Sequence, residues 1–221
     1  MVIVDILNKM LEKKLVVIAR RVPESIIDEC VNALIDGGVC FIESTFDQSA
    51  PDCIEKNKRN ISKMVKSAGN RAYIGAGTVL NVKQVRAAYD AGAKYIISPN
   101  TNKSVIEETR KLGMISISGA MTPTEIEQAY SWGAHMVKLF PADDVGVHYI
   151  KNISAPLSHI PLMATGGVNP QTIPGYHSAG VKAFGTGITI LTPDCIESKD
   201  YAGITMRAKA HVEAIEKLRE E

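Results

Sequence analysis

Five times in this chain a glycine that closes a helical stretch is followed at once by a short apolar run: DGGVCFIE (36–43), AGAKYIIS (91–98), LGMISISG (112–119), WGAHMVKL (132–139) and AGVKAFGT (179–186). Glycine just past a helix accepts the left-handed backbone that turns the chain. Each run is too short for a helix and lacks the strict alternation of a strand with one wet face. Such strands are buried on both faces. Adding VVIAR (16–20), YIGAGT (73–78) and LMATGG (162–167) gives eight strands, ending near Arg20, Glu43, Thr78, Pro99, Gly119, Lys138, Thr165 and Gly187. Most lie about 20 to 27 residues apart, the length of one strand and helix in a parallel sheet.

Eight such units with no proline-rich or low-complexity linker predict an α/β fold, a single (β/α)8 TIM barrel over residues 1–221, with an open doubly wound sheet as the alternative. Ile3, Ile6, Leu7, Met10 and Leu11 recur at helical spacing and predict an extra N-terminal helix that covers the barrel bottom. A composition of 45% hydrophobic and 22% charged residues can bury a sizeable core. Lysine plus arginine (25) nearly equals aspartate plus glutamate (24), which leaves no chain-wide electrostatic case for nucleic acid or an acidic membrane surface.

The four cysteines show no CxxC spacing and read as reduced thiols. The start carries Asp5 where a secretion signal needs basic charge, and no apolar run approaches the roughly 18 residues of a membrane span. A cytoplasmic location is expected. The five histidines never fall three to five apart, so no local metal-ligand pair is offered, and neither metal nor cofactor is expected.

In a barrel of this kind chemistry sits at the C-terminal ends of the strands, so polar residues that end apolar strands are the candidates. Lys138 is the first. Lys14, Lys94 and Lys182 stand where strands begin, whereas Lys138 follows His-Met-Val and precedes Leu-Phe-Pro near the active face. It is either a neutral amine poised to attack a carbonyl or a lysine that snorkels to the mouth or pairs with a carboxylate. Glu43 ends VCFIEST, and a carboxylate among apolar residues is costly unless it is paired, hydrogen-bonded or functionally required. With Lys138 it forms either a structural ion pair or a general acid-base beside a Schiff-base lysine.

The glycines of TGGVNP (165–170) and GTGIT (185–189) either bring backbone amides to a phosphate or other anion, or serve tight turns alone. Arg20 either holds a carboxylate by forked hydrogen bonds or makes a rim salt bridge, and Thr78 in GAGT offers a hydroxyl.

Together these stretches resemble the family of 2-keto-3-deoxy-6-phosphogluconate aldolase and 4-hydroxy-2-oxoglutarate aldolase over nearly the whole chain. The matching segments run in order: GGVCFIEST, IGAGTVL, ISPN, GAMTPTE, VKLFPA and TGGVNP. The resemblance implies a metal-independent, cytoplasmic, homotrimeric class I aldolase acting on a keto acid. It assigns Lys138 to the Schiff base and Glu43 to proton transfer. Thr78 and Thr165 contact the pyruvate portion, with Pro99 and Phe140 as walls, while Gly166, Gly167, Gly187 and Ile188 hold phosphate. Two positions depart from the pattern. Asp47 stands where many members have a carboxylate-binding arginine, and Arg20 occupies the place where other members put one. Ile188 replaces a phosphate-binding serine, for which backbone amides or the hydroxyls of Thr186 or Thr189 offer substitutes. The rival readings are a phosphosugar isomerase or synthase barrel, and a barrel that binds a keto acid without catalysis.

Overall fold

A computed structural model describes residues 3–218. Eight parallel strands close in sequence order into a barrel: β1 (Leu15–Ala19), β2 (Phe41–Thr45), β3 (Tyr73–Gly77), β4 (Tyr95–Ile97), β5 (Ile115–Ala120), β6 (Met136–Leu139), β7 (Leu162–Thr165) and β8 (Ala183–Thr186). Closure runs through β8 against β1, with Val17 opposite Thr186. The closed sheet decides against the open, doubly wound alternative.

Helix α1 (Ile3–Lys13) precedes the barrel, and the outer layer is α2 (Ile27–Asp36), α3 (Cys53–Ala68), α4 (Val82–Asp90), α5 (Lys103–Lys111), α6 (Pro123–Ser131), α7 (Ala142–Ser154), α8 (Ile173–Ser178), α9 (Pro193–Ser198) and α10 (Tyr201–Lys217). None of the described helices is long and apolar enough to cross a membrane.

The helix-to-strand joints owe their form to glycine. Gly38, Gly92, Gly113, Gly133 and Gly180 all take positive φ, from 71° to 102°, a region closed to most side chains. Helices α4, α5, α6, α9 and α10 start on a short polar side chain that accepts from the first turn. At α6 the Thr122 hydroxyl accepts from the Glu125 N–H at 3.4 Å while the Thr122 N–H donates to Glu125 Oε2 at 2.9 Å, a capping box that satisfies two orphan donors.

Two apolar cores result. One lies between the strands and the outer helices, fed by Val17, Ile42, Ile74, Ile96, Val137 and Phe184 among others. The second fills the lower lumen with Val16, Phe41, Tyr95, Ile115, Met136 and Met163, and α1 seals it with Ile6 and Met10. Alternation along each strand, one side chain to each core, leaves the upper lumen to Glu43, Lys138 and Thr165.

Candidate active site

Glu43 and Lys138 reach the lumen from β2 and β6 and are 2% and 8% exposed. Two glycines of β3 make the space that this requires. A Cβ at Gly77 would collide with Glu43 Oε1, and one at Gly75 would collide with the ring of Tyr95 on β4. Glu43 therefore leans across Gly77 while Tyr95 leans across Gly75 one level below. On the far side, Gly185 on β8 leaves room for Thr165, whose Oγ1 would lie 2.6 Å from a Cβ there.

The electrostatics follow from burial. Desolvation raises the Glu43 carboxyl to about 7, opposed by the positive charges of Lys138 and then Arg20. Desolvation also disfavours the Lys138 ammonium; Glu43 opposes that shift and Arg20 reinforces it. Arg20 is exposed at the mouth, yet its charge reaches both groups. The Lys138 Nζ lies 4.6 Å from the centroid of the Phe140 ring. Among the described residues, Glu43 Oε2, Thr165 Oγ1 and Tyr95 OH are buried with no hydrogen-bond partner. Polar atoms left so cost stability, and at the upper lumen they are free to bond a ligand.

The remaining residues singled out by sequence fall around the same mouth. Thr78 directly follows β3 with φ 56°. The backbone of Pro99 packs where a Cβ of Gly119 would stand. Gly166 and Gly167 follow β7 with φ 106° and 63°, and Gly187 and Ile188 follow β8, Ile188 being 73% exposed.

Asp47 turns away from the pocket. Its Oδ1 accepts from the Ser49 hydroxyl at 2.6 Å and its Oδ2 faces Arg21 at 3.6 Å. Among the described residues, no three histidine, cysteine, aspartate or glutamate side chains form a group that could hold a metal ion.

The hydroxyls offered as substitutes for the missing serine are committed elsewhere. Buried His211 on α10 places Nδ1 2.8 Å from the Arg207 carbonyl, and burial holds its pKa below the usual value. The neutral ring therefore keeps its proton on Nδ1, and Nε2 accepts from the Thr189 hydroxyl at 3.0 Å. Thr186 donates to the Val168 carbonyl at 3.0 Å. Each hydroxyl has one hydrogen, so neither has one left for an anion.

Sequence reasoning missed four participants. Asp143 at the start of α7 packs its carboxylate against Gly166 and Gly167. Tyr95 reads from sequence as an ordinary strand residue. Gln48 and Gln84 hold the Thr78 carbonyl through two hydrogen bonds. Only Gln84 carried a signal, its place three residues after Asn81 at a helix start.

The sequence model of the KDPG and KHG aldolase family matches residues 6–207. The chain belongs to that family. It is similar to a probable 2-dehydro-3-deoxy-6-phosphogalactonate aldolase of Rhizobium meliloti, with 34% identity over 83% of this chain and 84% of that one. It is also similar to the KHG/KDPG aldolase of Escherichia coli, with 31% identity over 82% of each chain. A solved structure described as native KDPGal superimposes with a TM-score of 0.84 at 30% identity, over 94% of this chain and 96% of that one. This chain is thus an aldolase, a lyase, on a (β/α)8 barrel.

Proposed function

We propose that this aldolase reversibly cleaves 2-keto-3-deoxy-6-phosphogluconate to pyruvate and glyceraldehyde 3-phosphate through a Schiff base on Lys138. The observation that carries the reading is the buried amine, its ammonium form disfavoured, in one pocket with a carboxyl poised near neutrality. The neutral amine adds to the C2 ketone. Glu43 delivers a proton to the carbinolamine hydroxyl, which leaves as water and gives the iminium.

Glu43, now a carboxylate, takes the C4 hydroxyl proton through a water. The C3–C4 bond breaks, its electron pair moves to the iminium, and the aldehyde departs. The enamine left on Lys138 is protonated at C3 and hydrolysed, which returns pyruvate and the free amine. Arg20 and Thr78 hold the carboxylate, Thr165 the pyruvate portion, and Pro99 and Phe140 bound it. Backbone amides of Gly166, Gly167, Gly187 and Ile188 take the phosphate.

A second reading, the C4 epimer 2-keto-3-deoxy-6-phosphogalactonate, is favoured by the name of the Rhizobium meliloti relative and by the KDPGal structure. The KHG/KDPG relative supports 4-hydroxy-2-oxoglutarate, with glyoxylate as the aldehyde.

Borohydride reduction with pyruvate should add mass at Lys138, before and after chelator treatment alike. Failure of that labelling refutes the mechanism. The ratio of kcat/KM across the three substrates ranks them, and the proposal requires the gluconate-derived one to lead. We further propose a cytoplasmic homotrimer; sedimentation at working concentration tests the trimer. One structural neighbour, a cage designed by fusing symmetric oligomeric domains, supports self-association.

A further inference from the structure

The backbone of Thr78 is unusual for its residue type. At φ 56° a β-branched side chain crowds the backbone, and this region is ordinarily left to glycine, asparagine and aspartate. A strained conformation persists only where its surroundings over-determine it, and such conformations gather at functional sites. Thr78 stands directly after Gly77, the residue across which Glu43 leans, so the strain lies on the rim of the pocket.

A directed chain of hydrogen bonds meets that strain. The Leu80 N–H donates to Gln84 Oε1 at 2.7 Å. A backbone N–H cannot accept, so the Gln84 amide is fixed with its nitrogen pointing the other way, and Nε2 donates to Gln48 Oε1 at 2.8 Å. Gln48 is fixed in turn, and its Nε2 donates to the Thr78 carbonyl at 2.7 Å. Neither amide can flip without setting donor against donor. Gln84 is 1% exposed, and its own N–H is bonded to Asn81 Oδ1 at 3.1 Å at the start of α4. The chain therefore begins in a rigid helix start, crosses to the loop after β2, and ends on the strained carbonyl. In that loop Asp47 is drawn to Arg21 and Gln48 to Thr78.

We infer that Gln48 and Gln84 are positioning residues for the aldol reaction, holding Thr78 in its left-handed backbone so that the threonine meets the keto-acid carboxylate. This rests on the role proposed above for Thr78. The two glutamines act through Thr78 and make no contact with substrate.

The test is pyruvate-dependent borohydride trapping, read as the half-saturating pyruvate concentration and the maximal trapping rate. The proteins are the parent, Gln48→Met, Thr78→Gly and the double variant. Methionine keeps the length of Gln48 and removes both hydrogen bonds without adding charge. Gln48→Met should raise half-saturation about three- to tenfold, the range one neutral hydrogen bond supplies, and leave the maximal rate within about twofold. Thr78→Gly should raise it at least as far.

The double variant should match Thr78→Gly, because glycine takes positive φ with no clamp and the coupling vanishes. Gln84→Met should repeat the effect of Gln48→Met; should it fail to fold, the exposed Gln48 still decides. The inference is overturned if Thr78→Gly weakens binding while Gln48→Met equals the parent, or if the double variant is additive. Should Thr78→Gly itself leave half-saturation unchanged, the role of Thr78 is refuted and the inference with it.

Discussion

At the N-terminal end of the lumen Phe41, Ile115, Met136, Met163 and Ala183 close over Met10 of α1, and all six side chains are 0% exposed. At the C-terminal end Glu43, Lys138 and Thr165 are nearly as deep, but polar, and two of their atoms have no partner among the described residues. The lower end lowers the free energy of the fold through close packing of apolar groups. The upper end raises it, since each buried unpaired polar atom costs about 1–3 kcal/mol. A barrel that holds reactive groups out of water needs the first end to offset the second, and substitutions at the two ends should have opposite signatures.

The largest effect on activity belongs to Lys138→Met. Turnover should fall below about a hundredth of the parent, because no other side chain here supplies a buried amine. The thermal midpoint should stay at or above the parent's, since methionine fills the space and removes a buried polar group that is costly to desolvate. Loss of folding together with turnover would place Lys138 among the structural groups and dissolve the contrast.

Glu43→Gln is next, with a loss of about 10²- to 10⁴-fold as proton transfer fails while the iminium sink survives. Its stability signature depends on pH. Below 4.5 the group is protonated in both states and contributes nothing; above that the unfolded chain ionises, while the buried carboxyl keeps its proton up to about 7. The folded state then binds more protons, so parent stability declines as pH rises from 4.5 to about 7, and the deficit is complete above that window. Denaturant unfolding across this range should show that the decline is smaller in Glu43→Gln.

The two ends were not equally legible in the sequence. The lower end was, since Ile6 and Met10 show the period of a helix and the short apolar runs the pattern of buried strands. The expected strand ends fall within two residues of those observed. At the upper end, residue type at a strand end pointed to Lys138 and Glu43. What periodicity along one strand cannot show is what lies across to the next strand. Gly75 and Gly77 read from sequence only as members of the strand run YIGAGT, whereas they make room for Tyr95 and Glu43. Gln48 and Gln84 are 36 residues apart and meet only in the folded chain.

Met10→Ala probes the lower end. Truncating a fully buried methionine costs about 2–5 kcal/mol through lost burial and the cavity left behind. In a chain of this size that lowers the thermal midpoint by roughly 5–15 °C. Turnover per folded molecule should not change at a temperature where the variant is folded, which a trapping titration of active sites would verify. A fall in turnover beyond about twofold would show that the plug shapes the site as well as supporting it.

Tyr95→Phe has the smallest effect and locates the boundary between the two ends. The ring belongs to the lower packing: it lies across Gly75 and meets the Phe41 ring edge-on at 5.9 Å between centroids. The hydroxyl shares the polar character of the upper end, being buried and unpartnered among the described residues, its ionisation pushed well above the usual phenol value by burial and then by the charge of Glu43. A neutral phenol with no hydrogen bond contributes desolvation cost and no charge. Removing only its oxygen keeps every ring contact and should stabilise the protein by about 1 kcal/mol, a rise of roughly 2–4 °C in thermal midpoint. Turnover should remain within about threefold of the parent, because Glu43 keeps its glycine-lined space and its neighbours Lys138 and Arg20. A gain in stability paired with a drop in turnover beyond about tenfold would move the boundary below Tyr95 and make its hydroxyl part of the proton-transfer apparatus.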